Sequence, residues 1–359
     1  RLDGVTGVQT CALPIYRDTL DRLARNVEGI GPPIHIRIKP TNACNQRCWY
    51  CSYRLKGVQL GQDMDERDVI PRDKMMEIVD DMVAMGVRAV TFSGGGEPFC
   101  YPHLEETALR LAQGGVRFAS LTNGSRLSGS VAEVFAHRAT WLRVSIDGWD
   151  DESYARQRRV AVGEFTRVLA NMQAFKRLNG PCHLGAALVV DHALAPHVAE
   201  LIQRVCEAGV DSVKVAPCII SNVAGENNEY HASIFDEVKR QIAMSRERVG
   251  DGRVEIFDSY HLQLETFEKS YRWCPYLQLN PVIGADLNVY ACHDKAYNLE
   301  GGLLGSLRDR RFCDFWMDGK DKFFRIDPSR HCNHHCVANQ RNILVHEYLD
   351  ADTDHLAFV

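Results

Sequence analysis

The 359-residue chain has no apolar run near the roughly 18 residues that a membrane-spanning helix needs. It also lacks a charged-then-apolar signal segment, an internal repeat and a low-complexity tract. Basic charge is in deficit: the formal net charge is −5, whereas binding to a phosphate backbone or an anionic membrane rests on a surplus of Lys and Arg. These absences argue against a membrane protein, a disordered chain and a general nucleic-acid binder. The expected setting is the cytoplasm, with neither a membrane nor a nucleic acid as partner. With 45% hydrophobic and 25% charged residues, the chain is long enough for one large domain and a smaller one.

Cysteine is not scarce: there are thirteen. In a long chain without a signal segment they point to a reducing compartment and to metal chemistry rather than to a disulfide framework. Cys100, Cys182, Cys206 and Cys218 lie in or beside apolar segments, where a buried, inert thiol is expected. Val5 to Ile15 is what a common short-read sequencing adapter gives when translated in one frame. Residues 1–15 are therefore set aside from the fold, and Cys11 is expected to have no role.

From residue 34 short apolar strands alternate with amphipathic helices. The expected strands are 34–39, 88–93, 116–121, 141–147, 183–190 and 211–217. The helix from Arg72 to Val83 is opened by Pro71 and closed by Gly86, with Met75, Met76, Met82 and Met85 as core filling. Repetition of strand and helix predicts a parallel sheet with right-handed crossovers. A longer helix is expected at about 228–248, a further strand at 253–257, and a change of character near residue 270, where cysteines, glycines and aromatics replace the alternation. The fold class is α/β, a partial six-unit (β/α) barrel with a small C-terminal cysteine-rich module. The expected organisation is a lead-in at 16–33, a core barrel at 34–260, the cysteine-rich module at 270–345 and a tail at 346–359.

Just after the first strand come Cys44, Cys48 and Cys51, three thiols in eight residues. A structural zinc site wants four protein ligands and usually a CxxC pair. Three soft thiolates at CxxxCxxC spacing favour an iron-sulfur cluster with one iron left open for a small molecule. With Tyr50 before the last cysteine, this run resembles the signature of the radical S-adenosylmethionine (SAM) enzymes. The resemblance implies a [4Fe-4S] cluster on Cys44, Cys48 and Cys51 whose open iron binds SAM, with a reductant such as flavodoxin or ferredoxin supplying the electron. It also implies that Gly94, Gly95, Gly96 and Glu97 grip the SAM amino group, and that Asn123, Ser145 and Asp147 reach its ribose or methionine part. Asp147 reads equally well as a helix cap. Of Arg156, Arg158 and Arg159, the resemblance favours Arg159 for the SAM carboxylate, the other two reading as a solvated face.

Lys214 interrupts the apolar strand Val213–Ala216, where a lysine either enters the barrel or bears a desolvation cost. It is the leading substrate contact, with His183, Asp191, His192 and Cys218 behind it. At the C-terminal end Cys274, Cys292, Cys332 and Cys336 can complete a closed metal site. With Cys274-Pro275 and the hairpin at 284–290 they resemble the twitch type of auxiliary-cluster domain, a reduced relative of the SPASM domain. That implies a second, auxiliary [4Fe-4S] cluster. Because Cys332 and Cys336 are three residues apart and His331, His334 and His335 crowd them, zinc on mixed ligands is the rival, and Cys313 is a spare ligand. The resemblance implies hydrogen abstraction from a substrate. We expect a small polar molecule such as a carbohydrate or aminocyclitol, with a peptide as the runner-up. The reading of another class is an iron-sulfur electron carrier or redox sensor.

Overall fold

A computed structural model describes residues 17–25, 28–250, 254–265 and 267–351. The adapter-like residues 1–15 and the apolar end of the tail fall outside them. Among the described residues one sheet runs through the chain, in the order β10-β9-β8-β1-β2-β3-β4-β5-β6-β7. Its strands are β1 His35–Ile38, β2 Ala89–Phe92, β3 Arg117–Thr122, β4 Trp141–Ser145, β5 His183–Val190, β6 Ser212–Pro217, β7 Glu255–Asp258, β8 Val282–Ile283, β9 Asn288–Tyr290 and β10 Leu303–Ser306. Strands β1 to β7 are parallel throughout. The sheet has two edges, β7 and β10, so the barrel is open.

The crossover helices show why the local sequence folds as it does. In Arg72–Met85, Met75, Ile78, Val79 and Met82 recur at helical spacing and are fully buried. Gly86 takes the left-handed φ of 78° that ends the helix, and its N–H donates back to the carbonyls of Met82 and Val83. The other helices on the outer face are Leu104–Gln113, Gly129–Arg138, Glu164–Arg177 and Val198–Glu207.

The long helix expected at 228–248 is two helices, Ala224–Ala232 and Phe235–Val249. Each is pinned to a different partner. His231 is buried between the Cys218 carbonyl at 2.8 Å and the Tyr260 hydroxyl at 2.9 Å, whereas the Gln241 side chain accepts from the Ala199 amide at 3.0 Å. No proline or glycine marks that break.

The cysteine-rich C-terminal residues continue the barrel sheet. Strand β8 pairs parallel with β1 on the side opposite β2, and β9 and β10 follow as antiparallel neighbours. Arg311 reaches back to the buried Asp81 of Arg72–Met85, and the indole N–H of Trp316 donates to the Gly31 carbonyl at 2.9 Å.

Between sheet and helices, Phe135 is fully buried, with ring centroids of Phe99 at 5.1 Å, Phe118 at 5.2 Å and Phe92 at 6.4 Å. Phe135→Ala leaves a cavity among three rings, and the expected cost is about 3–5 kcal/mol in denaturant unfolding. A loss under about 1 kcal/mol would contradict this packing.

Candidate functional site

The cysteine loop leaves β1 at its C-terminal end and is held on both flanks by backbone. On one side the amides of Gly96 and Glu97 donate to the carbonyls of Thr41 and Ala43 at 3.0 and 2.9 Å. On the other, the amides of Arg47 and Trp49 donate to the carbonyls of Arg158 and Gln157 at 3.0 and 3.2 Å. Cys44, Cys48 and Cys51 are all half-buried. Burial pushes the thiols of Cys44 and Cys51 above their usual range, and Cys48 adds to both shifts. The three thiols thus share one electrostatic neighbourhood, and Cys44 and Cys51 keep their protons unless a metal displaces them.

The glycine run serves this loop directly. Gly95 sits at φ 133°, where a Cβ would meet the Asn42 side chain, and a Cβ on Gly96 would strike the Ala43 carbonyl. Gly94 offers its carbonyl to the buried Lys39, which also donates to the Tyr53 hydroxyl. Glu97 is buried, and its carboxylate accepts from Thr122 Oγ1 at 2.6 Å, from the Asn123 amide at 2.7 Å and from the Phe99 amide at 3.0 Å. Burial nonetheless raises its pKa. Asn123 donates to the Asn45 side chain at 2.8 Å, inside the cysteine loop. Glu97 and Asn123 therefore tie the ends of β2 and β3 to that loop.

Tyr50, Ser145 and Asp147 come together around Arg158, which the sequence reading placed on a solvated face and the structure buries. The Asp147 carboxylate accepts from the Tyr50 hydroxyl, from Arg158 and from the Val189 amide. Arg158 also donates to Ser145 Oγ at 2.8 Å and to Gln46 Oε1 at 2.9 Å. The side chains of Arg158 and Asp147 are 3% and 1% exposed. Burial works against the guanidinium charge, yet its pKa is raised because Asp147 lies against it. Arg159, the expected arginine, is exposed at φ 52°, in the position that ends the helix Asp151–Arg158, so its side chain does not join this group. Nor does Asp147 cap that helix: Asp150 does, in a reciprocal capping box with Ser153.

At the other rim, Cys274, Cys292, Cys332 and Cys336 line one small enclosed cavity with Lys269, Lys295 and Asn342. Asn342 donates to Cys274 Sγ at 3.1 Å. Burial raises all four thiols, Cys274 to about 12, while the positive charge of Lys295 and Lys269 lowers Cys332. A single zinc ion, with Zn–S of about 2.3 Å, would hold its thiolates about 3.8 Å apart. Among the described residues the one set of three ligating atoms within 4.8 Å of one another is Asp294, His334 and Cys336. No three of the four thiols form such a set. Cys313 lies beside Asp81 and Asp314, outside that cavity. His331 accepts from the Asp327 amide at 3.0 Å, and His335 is buried.

The two cysteine sets meet through Tyr53 and His293. The Tyr53 hydroxyl is 3.3 Å from His293 Nδ1, with Lys39 against the tyrosine ring at 4.5 Å. Lys214 is half-buried on β6; burial, then the fields of Arg143, Arg341 and Arg37, lower its pKa to about 8. The weaker candidates stand apart from this group: His183 pairs with Ser212 at 2.8 Å, His192 with the Tyr230 carbonyl at 2.7 Å, and Asp191 accepts from Gln157 and the Leu194 amide. Arg37, Lys39, Arg143 and His293 were missed. The first three carry the signal that singled out Lys214, a cation within or at the end of an apolar strand.

The two neighbouring arginines predict opposite outcomes. Arg158→Ala leaves the Asp147 carboxylate buried and uncompensated, with an expected loss of about 3–5 kcal/mol in unfolding free energy. Arg159→Ala is expected to stay within about 0.5 kcal/mol of the unmodified chain. Equal losses from the two would contradict the arrangement.

Residues 38–192 match the model of the Radical SAM superfamily. Over 123 residues, 34% of this chain and 25% of the relative, the sequence is 32% identical to an S-adenosylmethionine-dependent nucleotide dehydratase of Lacinutrix mariniflava. Over 232 residues, 62% of this chain and 64% of the relative, it is 24% identical to a GTP 3',8-cyclase of Pseudomonas savastanoi pv. phaseolicola. The chain spans from a quarter to less than two thirds of the length of these two curated relatives. In fold it is similar to Streptococcus suis SuiB bound to precursor peptide SuiA, with a TM-score of 0.62 at 16% identity over 88% of this chain and 71% of that one. It is also similar to anSMEcpe with bound AdoMet, with a TM-score of 0.58 at 18% identity over 85% of this chain and 89% of that one. Residues 38–192, which carry the three-cysteine loop at the rim of an open parallel barrel, are thus similar to the Radical SAM superfamily.

Proposed function

We propose that the chain is a radical SAM enzyme that abstracts hydrogen from a small polar substrate of carbohydrate or aminocyclitol type. In this reading Cys44, Cys48 and Cys51 hold a [4Fe-4S] cluster, and Cys274, Cys292, Cys332 and Cys336 hold an auxiliary one. The observation that carries it is the loop: three half-buried thiols in one electrostatic neighbourhood, fixed by backbone bonds to the glycine run and to the helix Asp151–Arg158. With SAM bound, the first cluster supplies one-electron cleavage of SAM to a 5′-deoxyadenosyl radical.

The remaining work belongs to the chain. Gly94, Gly95 and Gly96 let the backbone come close to SAM, and Ser145 presents a hydroxyl beside it. Glu97, Asn123, Tyr50 and Asp147 position the loop rather than touch SAM, because their polar atoms are already engaged within the protein. Lys214 faces the substrate from β6. The barrel wall keeps water away and holds the target C–H bond near the reactive carbon, which decides what a radical attacks.

The sequence relatives named above carry nucleotide and GTP in their names, which supports a small polar substrate. A peptide is the second reading, because SuiB is described with a precursor peptide. A shared fold does not transfer a substrate, and the cations and polar side chains on the inner barrel wall favour the small molecule.

Anaerobic reconstitution with iron and sulfide should give about eight irons per chain, two four-iron clusters, and dithionite should drive formation of 5′-deoxyadenosine from SAM. The triple variant Cys44→Ala, Cys48→Ala, Cys51→Ala should keep about four irons and lose cleavage. Retained cleavage would sink the assignment, and clusters without cleavage in the unmodified chain would favour the electron carrier or sensor.

A further inference from the structure

Inside the barrel stand three cations that the protein does not neutralise. Arg37 on β1, Arg143 on β4 and Lys214 on β6 are half-buried, and each lies between fully buried apolar neighbours: Ile36 and Ile38, Leu142 and Val144, Val213 and Val215. Strand alternation turns those neighbours to the helix layer and the three cations to the barrel interior. Among the described residues none of the three forms an ion pair or a side-chain hydrogen bond. The contact of Arg143 is the face of Trp141, 5.5 Å from its guanidinium carbon, and its Nε is buried without a partner. Gly185 on β5 leaves room for that group, since a Cβ there would come 3.3 Å from Nε.

Arg143 is level with Gly185 of β5 and Ser212 of β6, two residues before Lys214, and the three cations feel one another's fields. Arg143 and Arg37 both act on Lys214, together with Arg341, and Arg37 acts on Arg143. The titratable groups around them are His35, Lys39, His293 and Asp294. Asp294 feels Arg37 without reaching ion-pair distance, and its carboxylate lies 3.9 Å from His334. Burial, then neighbouring cations, lower both His35 and His293, so these rings add no positive charge at neutral pH.

Elsewhere the chain satisfies the cations it buries. Arg158 has Asp147, Lys176 has Asp211 at 2.8 Å, and Lys322 donates to the carbonyls of Phe315, Asp318 and Gly319. Leaving three cations together and unpaired is costly unless an anion enters. One carboxylate would balance one charge of the three, whereas a phosphate or diphosphate balances two or three and accepts bidentate bonds from Arg.

Building on the proposed function, we infer that the barrel interior is an oxyanion site for the substrate, with Arg37, Arg143 and Lys214 gripping a phosphate or diphosphate group. The rest of the substrate then extends toward the cysteine loop at the strand ends.

Inorganic pyrophosphate is the probe, titrated calorimetrically into the reconstituted full-length protein. The expected result is saturable binding that weakens with salt and falls by about tenfold or more in Arg143→Gln and in Lys214→Gln, while SAM affinity changes by less than about threefold. Lys214→Arg keeps the charge and should keep the binding. Without pyrophosphate the melting temperatures of the two Gln variants should equal or exceed that of the parent, because like-charge repulsion is relieved; this separates lost binding from lost folding. Absence of saturable binding overturns the proposal, as does binding that is unchanged in the variants, an adventitious ion only. A parallel loss of SAM affinity also overturns it, by assigning the cations to the SAM carboxylate. Pyrophosphate binding does not depend on SAM cleavage. A chain that binds the anion in this way but forms no 5′-deoxyadenosine would sustain this site while defeating the enzymatic reading.

Discussion

The buried pairing of Asp147 with Arg158 is the interaction on which the site hangs. Asp147 follows β4, and its carboxylate holds the Val189 amide of β5 and the Tyr50 hydroxyl of the cysteine loop. Arg158 ends the next helix, and its guanidinium holds Gln46 of the same loop and Ser145 of β4. A buried ion pair gains little over an apolar pair by itself, since both charges must leave water. Its value here is geometric. Four chain segments are fixed by one cluster of charge-assisted bonds, and removing either charge would strand the other. Even so, Arg158 Nε stays without a partner.

The same logic extends the site across the sheet. Because β8 pairs with β1, the cysteine-rich residues are bonded to the strand that launches the cysteine loop. Tyr297 completes the joint: its hydroxyl donates to the Asn42 side chain at 2.5 Å and accepts from the Ala285 amide at 2.9 Å. Tyr53, two residues after Cys51, and His293, one residue after Cys292, then meet over Lys39. The rims carrying the two cysteine sets are parts of one hydrogen-bonded frame, so neither moves freely against the other. Chemistry that depends on sub-ångström placement is best built on such elements.

Much of this was legible in the sequence because it is periodic or punctuated. Strand alternation, the Pro71 and Gly86 boundaries and the CxxxCxxC spacing each leave a local mark. The choice between Arg158 and Arg159 does not. Successive helical residues point about 100° apart, and only the tertiary position of Asp147 selects which of the two is buried. Asp147 and Asp150 are likewise alike in sequence; one is the ion-pair partner and the other the cap because the helix starts at Asp151. The break at Ser233–Ile234 follows from the separate partners of His231 and Gln241, which lie far away in the chain. Arg37 and Arg143, by contrast, were readable. They alternate with apolar neighbours as Lys214 does, and counting inward-facing cations over all strands would have grouped them.

That grouping changes what the net charge means. A balance of −5 bears on the outer surface, where long-range fields steer large partners. It says little about an interior in which a few charges act at short range through a medium of low dielectric. Several outer arginines of this chain are matched by acids, as in Arg72 with Glu106, Arg110 with Asp80 and Arg240 with Glu237. The thiol cavity at the C-terminal rim is flanked by Lys269 and Lys295, cations that suit a group made anionic by thiolates. Arg37, Arg143 and Lys214 have neither acid nor thiolate in pairing range. An acidic protein can therefore hold a strongly cationic chamber, and the charge that matters for the substrate is the local surplus left after every internal pair is counted.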